Sequence, residues 1–124
     1  MLKVVKTPGK GRGVITDTAI AKGATIERIP VLFIPAEQWE YIEKTEFYHY
    51  CYSWGHESQH AAFAMGFGSL YNHSYSPAAV YKKHIDENEV EFIALRDIAA
   101  GEEVTINYNG DPNDHQPMWF GDVL

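Results

Sequence analysis

The stretch Gly66-Phe67-Gly68-Ser69-Leu70-Tyr71-Asn72-His73-Ser74-Tyr75-Ser76-Pro77 is too irregular for a helix or a regular strand, yet it sets Asn72 and His73 side by side. Downstream, Gly101-Glu102-Glu103-Val104-Thr105-Ile106-Asn107-Tyr108 reads as a strand ending on a tyrosine, followed at once by the turn pair Asn109-Gly110. Segments this short, broken by glycine, leave little room for long helices. They predict a mostly β chain of several small sheets.

The rest of the chain agrees. A short apolar strand is predicted near Leu2 to Lys6, and a second begins at Val14 and Ile15. Between them Gly9, Gly11 and Gly13 imply a hairpin turn or a close approach of backbone. Neither the glycine spacing nor a following helix fits a dinucleotide or P-loop fingerprint. Pro30 and Pro35 bracket an apolar piece, and Pro35 to Lys44 is the best helix candidate, with proline in its first turn and Trp39 and Ile42 able to share a face. Tyr48 to Trp54, Ala78 to Lys83, Val90 to Arg96 and Glu103 to Tyr108 read as short strands. Ala19 to Ile26 echoes Asp97 to Val104, each a turn whose glycine launches a β-rich run. No linker divides the chain, so residues 1–124 are expected to form a single domain.

Charge and cysteine usage narrow the function. Ten basic against 17 acidic residues give a net charge of −7, which disfavours direct nucleic-acid binding and suits a lysine-rich or otherwise basic protein partner. Cys51 is the sole cysteine, excluding an internal disulfide or an all-cysteine zinc cluster. There is no apolar run of membrane-spanning length and no signal-peptide pattern, so no membrane association and an intracellular location are expected.

One competing motif is present. His56-Glu57-Ser58-Gln59-His60 matches the His-Glu-x-x-His pattern of zinc peptidases, in which a helix puts both histidines on one face and leaves the glutamate to activate water. Ala61 to Met65 could extend such a helix. Gly55 directly before the motif, its polar interior and the lack of an evident third ligand favour an exposed loop or short helix without metal.

Taken together, Gly11-Arg12-Gly13, then Asn72-His73-Ser74 with Pro77, then Gly101-Glu102-Glu103 with Thr105 and Tyr108 resemble the SET-domain protein lysine methyltransferases in order and approximate spacing. The resemblance spans nearly the whole chain and implies a β-clip SET fold with one or two short helices and a C-terminal pseudoknot. It implies methyl transfer from S-adenosyl-L-methionine to a lysine side chain of a histone-like or other basic protein. Such a displacement needs alignment and a neutral amine. A free lysine, with a pKa of about 10.4, must therefore be deprotonated in a narrow apolar channel. Tyrosines suit that channel, giving an aromatic wall with one orienting hydroxyl.

By the same resemblance Tyr108 is the active-site tyrosine, and Tyr50 a second one at the cofactor and channel, with Tyr52 a close competitor. Tyr81 falls where some members restrict the number of methyl groups added. Lys10, Gly11, Arg12, Gly13, Tyr50, Asn72, His73 and Tyr108 become cofactor-binding candidates, His73 through its contacts and not as a base or metal ligand. Trp119 or Phe120 could cover the adenine. Two departures stand out: Ala78 replaces the usual asparagine after Pro77, and no cysteine-rich zinc segment follows. The loss of one polar contact leaves a second reading, a SET-fold peptide-binding module without activity. The compact viral enzymes that methylate host histone H3 and pair as dimers are similar in size and acidity, which would place a viral member in the host nucleus and allow a homodimer here.

Overall fold

A computed structural model describes residues 1–117 of the chain. Its nine strands in this range are β1 (Leu2–Thr7), β2 (Gly11–Thr16), β3 (Thr25–Ile34), β4 (Cys51–Trp54), β5 (His60–Ala64), β6 (Asn72–His73), β7 (Ala79–His84), β8 (Glu89–Ala94) and β9 (Thr105–Ile106). They form an antiparallel β1–β2 hairpin, a five-stranded sheet in the order β4-β5-β3-β8-β7, and a parallel β6–β9 pair. The mostly β architecture of several small sheets is the one expected from the sequence.

The long strand β3 serves two partners in turn. Thr25–Pro30 pair with β8, and Val31–Ile34 pair with β5. The change of partner falls at Pro30, which has no N–H to give to a ladder. Pro30 still contributes its carbonyl, which accepts from Met65 N–H at 3.1 Å. The sheet thus bends where the sequence places its proline. Its edge strands β4 and β7 meet across the concave side, where the Tyr52 and Tyr81 rings lie 5.0 Å apart.

The core gathers under this bend from alternate strand positions. Val14, Trp54, Phe92, Ile98, Val104 and Ile106 are fully buried. Small residues, Ala62, Ala64, Ala78 and Ala79, let the sheets approach one another. The buried Trp54 indole donates to Asn88 Oδ1 at 3.0 Å, so its polar edge is satisfied. The two echoing segments meet directly: Ile20 and Ile98 exchange both backbone hydrogen bonds at 2.8 Å. Similar local sequence produces two similar turns that pair with each other.

Four local expectations change. The helix predicted over Pro35 to Lys44 is a 3-10 turn, Ala36–Gln38, running into one α-helical turn, α1 (Trp39–Ile42). No side chain caps its first turn and none of its residues is buried, so little tertiary packing sustains a longer helix. The strand predicted from Tyr48 begins only at Cys51, because Glu46–Tyr50 form a 3-10 turn. The strand predicted over Glu103 to Tyr108 is limited to Thr105–Ile106. Finally, Asn72 and His73 do join a sheet, pairing with Thr105 and Ile106. Two residues leave no periodicity for a sequence pattern to reveal.

No helix among the described residues is long and apolar enough to cross a membrane.

Candidate active site

The β1–β2 turn depends on backbone that only glycine adopts freely: Gly9 and Gly11 have φ of 72° and 76°. Past the turn, Gly13 is crowded. A Cβ there would stand 2.5 Å from Glu103 Oε2, 2.7 Å from Asn72 Nδ2 and 2.7 Å from Thr7 Cγ2. The crowding records a polar knot. Asn72 Nδ2 donates to the Arg12 carbonyl at 2.8 Å and to Glu103 Oε2 at 2.7 Å. Lys10 Nζ lies 3.7 Å from the other Glu103 oxygen. The three motifs, far apart in sequence, are tied here through one side-chain amide.

His73 links this knot to the tyrosines. Its Nδ1 accepts the backbone N–H of Tyr108 at 2.9 Å, which requires the unprotonated nitrogen at that position. Burial, then the nearby Lys10 charge, holds the His73 pKa below the ordinary histidine value. Tyr108 is thereby fixed at both ends, because its hydroxyl donates to the Tyr71 carbonyl at 2.6 Å. Tyr71 is almost fully buried, and its own hydroxyl donates to Glu27 Oε1 at 2.6 Å. Glu27 was not recognisable from sequence pattern; only the placement of Tyr71 directly before Asn72 could have drawn attention to what lies behind it.

Tyr108, Tyr50, Tyr81, Tyr52 and Tyr71 share the wall of one cavity of about 350 Å³. Burial, with Tyr50 and Glu103 adding to it, pushes the Tyr108 phenol up to about 12, and burial pushes Tyr81 to about 12. Both phenols are neutral at physiological pH. Tyr52 is partly buried, its hydroxyl donates to the Gly68 carbonyl at 2.6 Å, and desolvation raises its pKa strongly. Of the two adjacent candidates, Tyr52 is therefore locked to the backbone, while Tyr50 lies half-buried on the same wall. Lys10, Gly11, Arg12, Gly13, Asn72 and His73 do not line this cavity. They form the adjoining knot, joined to it through Tyr108.

Chain beyond the site folds back upon it. The Gln116 carbonyl accepts from Tyr75 Oη at 2.9 Å and from Asn109 Nδ2 at 3.2 Å, and the Asp114 carbonyl accepts from Asn107 Nδ2 at 2.6 Å. Trp119 and Phe120, the candidates for covering an adenine, lie outside the described residues.

The His-Glu-x-x-His segment takes another form. His56 opens a turn and bonds Asp86 Oδ1 at 2.9 Å, whereas His60 starts β5 and accepts the Ala36 N–H at 2.9 Å. Residues 60–64 are a strand, so the helix that would align the two histidines is absent. Among the described residues no group of three or more His, Cys, Asp or Glu side chains is placed to hold a metal.

The tyrosine-walled cavity stands beside the hairpin-and-asparagine knot, and comparisons with known proteins give the chain its class, the protein-lysine methyltransferases. The SET domain family pattern matches residues 11–109, and the chain belongs to that family. It is 34% identical over 122 residues to a Schizosaccharomyces pombe histone-lysine N-methyltransferase specific for lysine 37 of histone H3. That alignment covers 98% of this chain and 78% of the yeast protein. A crystal structure of a Plasmodium falciparum protein described as a histone methyltransferase superposes with a TM-score of 0.70 at 25% identity, covering 90% of this chain and 99% of that one. The fold is also found in a humanized mutant of Chaetomium thermophilum Polycomb Repressive Complex 2 bound to an inhibitor, with a TM-score of 0.72 at 20% identity over 95% of this chain and 16% of that one.

Proposed function

We propose that this chain transfers methyl groups from S-adenosyl-L-methionine to a lysine side chain of a histone-like or other basic protein inside the cell. The observation that carries the reading is the link His73 makes between the Asn72 knot and the cavity holding Tyr50, Tyr81 and Tyr108. Methyltransferases of this family generally use that cofactor, and the residues present fit its amino-acid end. Lys10 offers an ammonium to a carboxylate. Asn72, whose amide nitrogen is committed to Arg12 and Glu103, keeps its oxygen to accept from an ammonium. The cofactor would supply an electrophilic methyl on a positive sulfur.

The chain's own residues do the rest. The aromatic cavity takes the lysine stem out of water and disfavours its charged form. With the Tyr108 proton directed to the Tyr71 carbonyl, the phenol oxygen meets a lysine N–H as an acceptor and not as a donor. That orients the amine lone pair toward the cofactor side, which is alignment and not proton abstraction. Tyr81 narrows the same cavity and limits how many methyl groups the nitrogen can carry.

The test is calorimetric titration of EDTA-treated protein with S-adenosyl-L-methionine, together with labelled methyl transfer to lysine-rich proteins. One-to-one binding lost in Asn72→Ala, with transfer lost in Tyr108→Phe, is the expected result. No cofactor binding and no transfer by the unaltered protein would overturn the reading.

A further inference from the structure

The cavity of the candidate site has a sign opposite to that of the chain. With 17 acidic and 10 basic residues the protein is strongly negative, yet among the described residues no aspartate or glutamate lines the cavity. Lys83, His49 and His60 do. Lys83 lies two positions after Tyr81 on β7, so both side chains leave the same face of the strand. Its Nζ donates to Ser53 Oγ on β4 at 3.0 Å and sits 6.0 Å from the Tyr81 ring centroid. A serine hydroxyl and an aromatic face satisfy geometry without supplying a counter-charge. Among the described residues no carboxylate lies within ion-pair distance of this half-buried ammonium, while Arg28 and Arg96 are both paired. Burial lowers the Lys83 pKa, as expected of a cation that lacks an anion.

A partly buried cation without a counter-charge is unfavourable unless a ligand brings one. We infer that Lys83 and Ser53 form an anion subsite in the substrate cavity, and that it takes a side-chain carboxylate close in sequence to the target lysine. The inference rests on the methyltransferase reading for the identity of the bound chain. Lys83 and Tyr81 belong to one strand face, so an extended peptide whose lysine reaches the tyrosines passes Lys83 within a few residues. The overall acidity draws in a basic protein, and the subsite then selects among its lysines. Pairing with an ionised partner makes the hydrogen bond charge-assisted, and so stronger than one to a neutral side chain.

The experiment uses lysine peptides identical except for one position, from three before to three after the target, carrying Glu, Gln or Lys. Methyl transfer is measured alongside binding by fluorescence anisotropy. At one position Glu should exceed Gln by about tenfold in kcat/KM, with the advantage shrinking in high salt. Lys83→Met should abolish the difference, and Lys83→Glu should reverse it in favour of the Lys peptide, while both retain binding of S-adenosyl-L-methionine as proof of folding. Transfer to all peptides without preference, or a preference that survives Lys83→Met, would overturn the inference while leaving the methyltransferase reading intact. Carboxylate-dependent binding without any transfer would support the subsite and overturn the methyltransferase reading. Neither binding nor transfer would overturn both.

Discussion

The hydroxyl of Tyr108 and the carbonyl of Tyr71 are 2.6 Å apart, and that bond fixes where the phenol proton points. In the proposed reaction a phenol held this way, its pKa pushed up to about 12, serves as an orienting acceptor and not as a base. Replacing Tyr108 by Phe should lower kcat by about a hundredfold or more while leaving cofactor affinity within about twofold. Single-turnover transfer and calorimetry on the same preparation check the split.

Behind Tyr71 stands Glu27, whose raised pKa reflects burial opposed by hydrogen bonds from the Tyr71 hydroxyl and the Phe67 backbone. A carboxyl with a raised folded pKa contributes most stability below its unfolded value and loses it as pH rises through the folded value. Lowering pH through the folded pKa should therefore relieve the cost of keeping Glu27 charged. Glu27→Gln should abolish this dependence in thermal melts. Glu27→Ala should cost about 1–3 kcal/mol, because it strands the buried Tyr71 hydroxyl.

His73 titrates with the opposite sign. Its pKa is depressed, so its contribution is complete above the ordinary value of about 6.5 and is lost as pH falls through the folded value. Protonated Nδ1 cannot accept the Tyr108 N–H. Transfer activity and melting temperature should decline together on acidification below about pH 6.5. A flat profile down to pH 5 would show that the His73–Tyr108 bond is not needed.

Gly13 admits no side chain without moving Glu103, Asn72 or Thr7. Gly13→Ala should destabilise the fold by about 1–3 kcal/mol and weaken S-adenosyl-L-methionine binding. Gly23, where a Cβ would meet nothing within 4 Å, provides a control: with φ of +85° its alanine variant carries backbone strain alone and should leave cofactor affinity unchanged.

Tyr81 shares the cavity wall with Tyr108, and its ring packs edge-on against Tyr52. Tyr81→Phe removes one hydroxyl from that wall and should shift products toward dimethyl-lysine. Mass spectrometry of a methylated peptide reads the outcome, and an unchanged distribution would remove Tyr81 from product control.

Much of this was legible in the sequence because glycines and tyrosines carry local information. The Gly9–Gly13 punctuation marked the hairpin, and the echo of Ala19 to Ile26 in Asp97 to Val104 marked two turns that pair through Ile20 and Ile98. Motif resemblance pointed to Tyr50, Tyr81 and Tyr108, which the fold brings to one cavity. Longer-range relationships were not legible. Nothing in the neighbourhood of Glu27 shows that it will meet Tyr71, 44 positions later. Nothing near Lys83 shows that its partner will be Ser53 on the opposite sheet edge. The helix expected after Pro35 shortened for the converse reason: local propensity favoured it, but no core received its apolar face.

The parallel pairing of Asn72–His73 with Thr105–Ile106 carries a consequence for how the protein matures. Antiparallel neighbours β7 and β8 can zip from a short connection, whereas the parallel pair must close a loop of more than thirty residues around them. Closing that loop costs the pair chain entropy, although β3 and β8 in the main sheet close a longer one. A chain with its main sheet assembled but this pair unmade would hold Tyr50, Tyr52 and Tyr81 in place while Tyr108 and Asn72 hung apart. Such a copy would lose the proposed alignment of Tyr108 with Asn72 while its main sheet still stood.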